Sequence, residues 1–305
     1  AGTLGAVCSF AQNNDSIRTR DIDAVVVSAN RKIQKITEVP ATINVISQKD
    51  IEEFSGFNLS ELAARQKGVD FVRSGVLGAG FNIRGFNTAF NSKNLQITDD
   101  RISTLIATGL PLGSMETIIK EDVEKVEILL GPNGTLYGPN AHNGLVNSIS
   151  KDIFRSQGTT VAVGGGNQNV LTARLRHAQA INDKLAFKLA FEHSQGTEFK
   201  YADSVYINNK AYEELDLDRD FKVVKFNGQL GYKLAPNKML TAYYGHSNSN
   251  MLGVTNAGRN QIKDWSIQQF QLKYNSPRLF VNAYYNWSKT DKTYSMNQRT
   301  QNYWS

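Results

Sequence analysis

The sequence predicts a compact α+β domain over 37–151, followed over 158–305 by the opening strands of an antiparallel transmembrane β-barrel. Three observations carry that prediction. Mixed helical and strand spacing gives way near residue 158 to a strict two-residue alternation. The alternating segments approach the 9–11 residues that cross a bilayer at a tilt. The connections between them alternate short and long, as barrel turns and loops do.

Composition sets the outer limits. The chain has 305 residues, 40% hydrophobic and 20% charged, which leaves room for two domains and excludes a disordered chain. No apolar run reaches the roughly 18 residues of a membrane-crossing helix. Helical membrane proteins are excluded, whereas barrels are not. The net charge of +6 is scattered among acids, with no basic stripe interleaved with aromatics. Nucleic acid is therefore not an expected partner.

The one cysteine, Cys8, lies in Leu4-Gly5-Ala6-Val7-Cys8-Ser9-Phe10-Ala11. An apolar stretch followed by small residues at Ser9 and Ala11 reads as the remnant of a secretory signal over 1–11. Residues 12–36 are polar around Val25-Val26-Val27 and read as an exposed arm.

In the first domain, Asp50-Ile51-Glu52-Glu53-Phe54 and Leu59-Ser60-Glu61-Leu62-Ala63-Ala64-Arg65 have helical spacing, with Asn58 or Ser60 placed to cap the second. Strands are expected at 42–46, 69–72 and 126–130 from their β-branched and apolar residues. Glycines punctuate the turns between them.

Beyond 158, Leu185, Phe187, Leu189 and Phe191 share one face, opposite Lys184, Ala186, Lys188, Ala190 and Glu192. Val224, Phe226, Leu230, Tyr232 and Leu234 repeat the theme against Lys225, Asn227, Gln229 and Lys233. Phe270, Leu272 and Tyr274 do so against Gln269, Gln271 and Lys273, and Leu279, Val281, Tyr285 and Trp287 against Asn282, Asn286 and Ser288. Short turns are expected at 182–184, 235–238 and 275–278, and long polar loops at about 195–221 and 248–263. About seven strands result. Backbone groups in lipid must all be paired, so seven strands do not close a barrel. The chain is expected to be a fragment.

Over 37–151 the motifs run in order: Val39-Pro40-Ala41-Thr42-Ile43-Asn44-Val45-Ile46, then Phe81-Asn82-Ile83-Arg84-Gly85-Phe86, then Ile97-Thr98-Asp99-Asp100-Arg101. Asp122-Val123-Glu124-Lys125-Val126-Glu127-Ile128 follows, leading to Gly131-Pro132-Asn133-Gly134-Thr135-Leu136-Tyr137-Gly138 and Gly144-Leu145-Val146-Asn147-Ser148-Ile149-Ser150-Lys151. Together they resemble the plug domain of TonB-dependent outer-membrane receptors. The last stretches are similar to the family's "VERIEVLRGP…ALYG…GGVINIITK". Two departures stand out: Leu130 where the family has an arginine, and Asp100 where it has the turn glycine. In relatives that arginine holds the plug to charged groups on the barrel wall.

Asp23-Ala24-Val25-Val26-Val27-Ser28-Ala29 resembles a TonB box. An unpaired β-branched segment of this kind can add itself to a partner's sheet edge. The resemblance implies energised uptake through a plugged barrel of the outer membrane. It implies as partners TonB with the ExbB–ExbD complex, outer-membrane lipid and a small ligand such as an iron–siderophore, with cobalamin, haem or glycans as alternatives. No cofactor is implied. Plug segments 75–80, 87–94 and 104–116 are expected to face outward. A secreted all-β adhesion protein is the competing class, and it would need neither the plug motifs nor the box.

No catalytic set emerges. His142, His177, His193 and His246 lack zinc-type spacing. Gly131-Pro132-Asn133-Gly134 lacks the Gly-Lys-Ser/Thr ending of a phosphate loop. Glu213, Glu214, Asp216, Asp218 and Asp220 form an acidic run, which is either a solvated loop or a calcium-type oxygen cluster.

Overall fold

The structure is a computed structural model that describes residues 26–27, 34–35, 41–56, 59–85, 92–106, 108–200, 204–207, 210–213, 218–255, 258–290, 293–295 and 303–304. The predicted signal remnant lies outside them. Two units separate at residue 39. In the first, β1 (Val26–Val27) pairs antiparallel with β2 (Gln34–Lys35). The expectation of an unpaired segment at Val26–Val27 is thus corrected. β-Branched backbone favours the extended state, and a ladder within the same chain satisfies its polar groups.

The second unit opens with β3 (Thr42–Ile46), where β-branched residues dominate. Helix α1 (Gln48–Glu53) follows at once because Ser47 caps it. The Ser47 hydroxyl accepts from the Asp50 amide, and Asp50 accepts from the Ser47 amide at 3.0 Å. Helix α2 (Leu59–Ala63) begins one residue before Ser60, so Ser60 is not its cap. Asn58 lies outside the described residues. A two-stranded ribbon joins β4 (Val69–Arg73) to β5 (Ala79–Ile83).

The central sheet is completed by β6 (Asn94–Thr98), β7 (Arg101–Ile102), β8 (Val123–Leu130) and, after the short helix α3 (Gly134–Tyr137), β9 (Gly144–Ser150). Its order is β3-β8-β9-β6-β7, antiparallel except for β6 on β9. β6 is buried along its whole length and β8 over Val126–Leu130, although polar residues such as Asn94, Gln96 and Glu127 stand among the apolar ones. The core packs Ile46, Ile51, Leu62, Ile83, Ile128 and Leu130, among others, between sheet, helices and ribbon.

Leu130 therefore sits in the core, 8% exposed. Gly144 shows how closely the elements approach. A Cβ there would lie 2.4 Å from Ile83 Cδ1 and 2.5 Å from the Leu129 carbonyl oxygen. Only glycine fits.

Seven long antiparallel strands form the second sheet: β10 (Gly158–Gly166), β11 (Val170–Ala180), β12 (Leu185–Thr197), then, past the short pair β13 (Ser204–Ile207) and β14 (Lys210–Glu213), β15 (Asp220–Ala235), β16 (Lys238–Thr255), β17 (Gly258–Asn275) and β18 (Phe280–Thr290). Two short pieces, β19 (Tyr294–Ser295) and β20 (Tyr303–Trp304), pair with β17 and β18.

The tight turns at 182–184, 235–238 and 275–278 sit at one end. The β10–β11 turn, closed by Gly166 on Val170, is equally short at the other, so the expected alternation of short and long connections does not hold there. Asn182 Oδ1 accepts from the Lys184 and Leu185 amides, and Ser276 Oγ accepts from the Leu279 amide. At the other end, the loop expected over 248–263 is instead a continuation of β16 and β17. Past a bulge at Ser249/Met251 they pair on to Thr255↔Gly258. Polar side chains there concealed a ladder made by backbone groups.

Alternation fixes the faces. Leu175, Phe191 and Phe226, paired in register across β11, β12 and β15, point outward with about two-fifths of their surface exposed. Their neighbours Arg174, Glu192 and Lys225, also in register, point inward and are buried by the first domain. A water-soluble sheet would be arranged the other way round.

Gly144→Ala is expected to destabilise the first domain by about 1–3 kcal/mol through overpacking. Calorimetry would show its transition moving down; an unchanged midpoint would contradict the close approach.

Candidate functional site

The first domain meets the inward face of the strands through charge at one end and apolar packing at the other. Asp122, buried at 1% exposure, sits between two bases of the wall. Its carboxylate lies 2.8 Å from Arg176 Nε and 2.9 Å from Lys188 Nζ. Arg176 also donates to the Ser156 carbonyl, and Lys188 to that of Lys151. Its neighbour Glu121 reaches Arg174 at 3.0 Å. Arg174 continues to Glu192, and Glu192 to Lys225, each at 3.5 Å. A chain of alternating charge thus runs from the domain across three strands. A single missing member would leave a buried ion uncompensated.

The β6–β7 turn makes a second contact. Asp99 and Asp100 both have positive φ, 47° and 71°. That is the backbone of a tight hairpin turn, and it favours glycine at Asp100. Wall contacts compensate. Asp100 pairs with Lys273 at 3.2 Å, its carbonyl accepts from Asn282, and the Asp99 carbonyl accepts from Gln271. Burial opposes ionisation of Asp99. Lys273, Arg101, Lys188 and the Ser150 amide outweigh it and hold the carboxyl below the usual carboxylate range. Arg101, fully buried, lies 3.8 Å over the Tyr243 ring and donates to Gln271.

Between these contacts sits Glu116-Thr117. The Thr117 hydroxyl bonds Tyr243 and Gln269, and its carbonyl accepts from Asn227. Glu116 is buried, and its Oε2 has no hydrogen-bond partner among the described residues. Burial pushes its pKa up, against the pull of Arg101 and Lys225. It lines a cavity of about 70 Å³ with Lys120, Glu192, Ser194 and Lys225. Ligand pockets span roughly 300–1,000 Å³, so this space suits a few waters and not a ligand.

At the opposite end of the strands, Val76, Leu77, Leu105, Leu112 and Met115 pack on Val170, Phe221, Met251, Ile262 and Trp265. Segments 75–80 and 104–106 and 108–116 thus lie at the end away from the tight turns. Of 87–94, residues 87–91 are outside the described residues.

The residues singled out in the sequence fall into two groups. Arg84 (φ 58°) and Gly85 turn the chain after β5. The Arg84 guanidinium lies 3.1 Å from where a Gly131 Cβ would be, and Ile83 packs on Gly144. Pro132, Tyr137 and Gly138 belong to the α3 turn, with Gly138 ending it at φ 81°. Asp99, Asp100 and Asn147 lie toward the opposite ends of β6 and β9. Asp23, Ala24, Val25, Ser28 and Ala29 are outside the described residues, as are Glu214 and Asp216. Sequence reading missed Asp122, Glu116 and Arg101. Their signal was a charged residue at an inward or apolar-flanked position with candidate counter-charges on the wall.

Comparison with known proteins completes the picture. Residues 35–145 match the family model "TonB-dependent Receptor Plug Domain". The first domain is a TonB-dependent receptor plug, and the sheet is part of the receptor barrel. The chain is 27% identical over 281 residues to the vitamin B12 transporter BtuB of Vibrio vulnificus, covering 83% of this chain and 44% of that protein. It is 30% identical over 164 residues to BtuB of Vibrio cholerae, covering 53% and 26%. The chain spans less than half the length of these relatives.

Among solved structures, the alcaligin outer-membrane receptor FauA from Bordetella pertussis superposes with a TM-score of 0.61 at 17% identity, covering 89% of this chain and 43% of that one. The copper transporter OprC gives 0.59 at 14% identity, covering 81% and 37%. These likenesses concern the fold. The family consists of outer-membrane transporters, not enzymes.

Asp122→Ala is expected to cost roughly 3–5 kcal/mol by stranding Arg176 and Lys188 in the buried interface. Amide exchange over 120–126 would rise accordingly; wild-type protection would refute the charge seat. Glu116→Gln is expected to act the other way. A raised carboxyl pKa means that this group's contribution to stability is fullest below about pH 4.3 and is lost as pH rises. The variant should match wild type near pH 4 and exceed it at pH 7 in denaturant titrations. Equal stability at both pH values would refute the burial argument.

Proposed function

We propose that the intact protein imports a scarce, metal-carrying small ligand across the outer membrane, driven by TonB. The supporting observation is the plug seated on the inward face of the barrel strands by buried ion pairs. A ligand too large for the 70 Å³ interface cavity passes only if the plug moves. Movement against several buried contacts needs external work, and the family's source of work is TonB with ExbB–ExbD.

The arm at 23–29 is the handle in this reading. Val26–Val27 already take strand form against Gln34–Lys35, which supports a segment disposed to pair with a sheet edge. Arg84, Gly85, Gly131, Pro132, Tyr137, Gly138, Gly144 and Asn147 serve as the plug's framework, and Asp99 and Asp100 as its contact with the wall.

A ferric siderophore is the first reading of the ligand, supported by fold likeness to the ferric enterobactin receptor PfeA of Pseudomonas aeruginosa. Cobalamin is the second, favoured by the BtuB relatives. Uptake of a radiolabelled ferric siderophore and of radiolabelled cyanocobalamin by a deletion strain, with and without the restored gene, separates them. Removal of 23–29 is expected to abolish uptake of whichever ligand is carried and to leave its binding to cells intact. Undiminished uptake without 23–29 would end the proposal.

A further inference from the structure

Glu198 is the first residue beyond β12, at the strand end away from the tight turns. Its own amide donates to the Arg219 carbonyl at 2.7 Å. That bond follows directly on Thr197↔Asp220, the last pair of β12 and β15, and closes the base of segment 198–219. Its side chain does not turn to solvent. It is 2% exposed, and both carboxylate oxygens accept from the Val76 amide of the plug, at 2.8 and 2.9 Å. The Phe199 amide donates to the same carboxylate.

The plug side is shaped to receive it. Residues 74–78 form a tight loop closed by Ser74 N–H donating to the Gly78 carbonyl at 2.8 Å. Arg73 Nε donates to the Gly75 carbonyl within it. Val76 and Leu77 are buried against the barrel wall, beside Phe221 and Val223. Gly75 leaves the space that the carboxylate occupies. A Cβ at that position would lie 2.4 Å from Glu198 Oε2. A buried carboxylate is tolerated only where donors converge on it, and a charge-assisted bond of this kind is among the stronger ones. Among the described residues, the one long-range backbone amide it takes belongs to the plug.

We propose that Glu198 is a positioning residue that ties segment 198–219 to the plug loop 74–78, so that displacement of either is transmitted to the other. The inference rests on the reading of this chain as an importer whose segment 198–219 faces the outside. In that setting it supplies a contact by which an event at the external mouth reaches the plug. Coupling of this type is reciprocal, so it is detectable from both sides.

The test is amide hydrogen exchange on the full-length receptor in detergent micelles, without ligand or TonB. Glu198→Ala is expected to raise exchange at 74–78 about tenfold or more, the scale of one lost charged hydrogen bond. Exchange over 120–126 should stay at the wild-type level. Glu198→Gln keeps an acceptor oxygen and should restore most of the protection. Gly75→Ala, which drives the carboxylate out from the plug side, should raise exchange in 198–219. Unchanged protection of Val76 in Glu198→Ala, or of 198–219 in Gly75→Ala, would overturn the proposal. Because neither measurement involves transport, failure of the import reading would leave this outcome independent.

Discussion

A strand in lipid must turn alternate side chains to opposite faces while pairing every backbone group with its neighbours. That constraint governs the rest of this molecule. With Leu175, Phe191 and Phe226 on the outer face, Arg174, Glu192 and Lys225 have nowhere to go but inward. Inward charges need either water or counter-charges, and here the plug supplies the latter through Glu121 and Asp122. The plug's surface is therefore not free to be an ordinary polar surface. It has to match the wall's charges position by position.

The two ends of the interface differ in kind, and the difference has mechanical consequences. Near the tight turns the plug is held by ion pairs, which are directional and lose most of their value when a partner moves away or water enters. At the far end it is held by packing of Val76, Leu112 and Met115 on Phe221, Met251 and Trp265, which is non-directional and tolerates sliding. Between them, the Glu116 cavity interrupts close packing. The plug is thus held by charge at one end and by apolar packing at the other, with a small, partly polar cavity between them.

What the sequence made legible follows the same physics. Alternation over 184–192 and 223–234 identified both faces of β12 and β15, because period two is imposed by the strand itself. The seven strands were countable for the same reason. Thr42–Ile46 and the helix after it were legible through β-branching and local spacing, although the Ser47 cap of that helix was not read and the second helix starts before Ser60. The extension of β16 and β17 was not legible. Backbone ladders leave no mark on a stretch as polar as Asn248-Ser249-Asn250. Nor were Asp122 and Glu198 singled out. Each is one acid among many in the sequence, and each acquires its role only from residues more than fifty positions away.

Leu130 and Asp122 stand at the two ends of β8 and answer to different surroundings. The family's arginine before Gly-Pro is absent, and Leu130 is packed in the plug core. The wall presents Arg174, Arg176 and Lys188 at the other end of the strand, where the acids Glu121 and Asp122 are the complementary choice. An apolar side chain at 130 suits its own surroundings. The position lies between Gly68 and the core, where a leucine fills space that a guanidinium would have to leave unpaired.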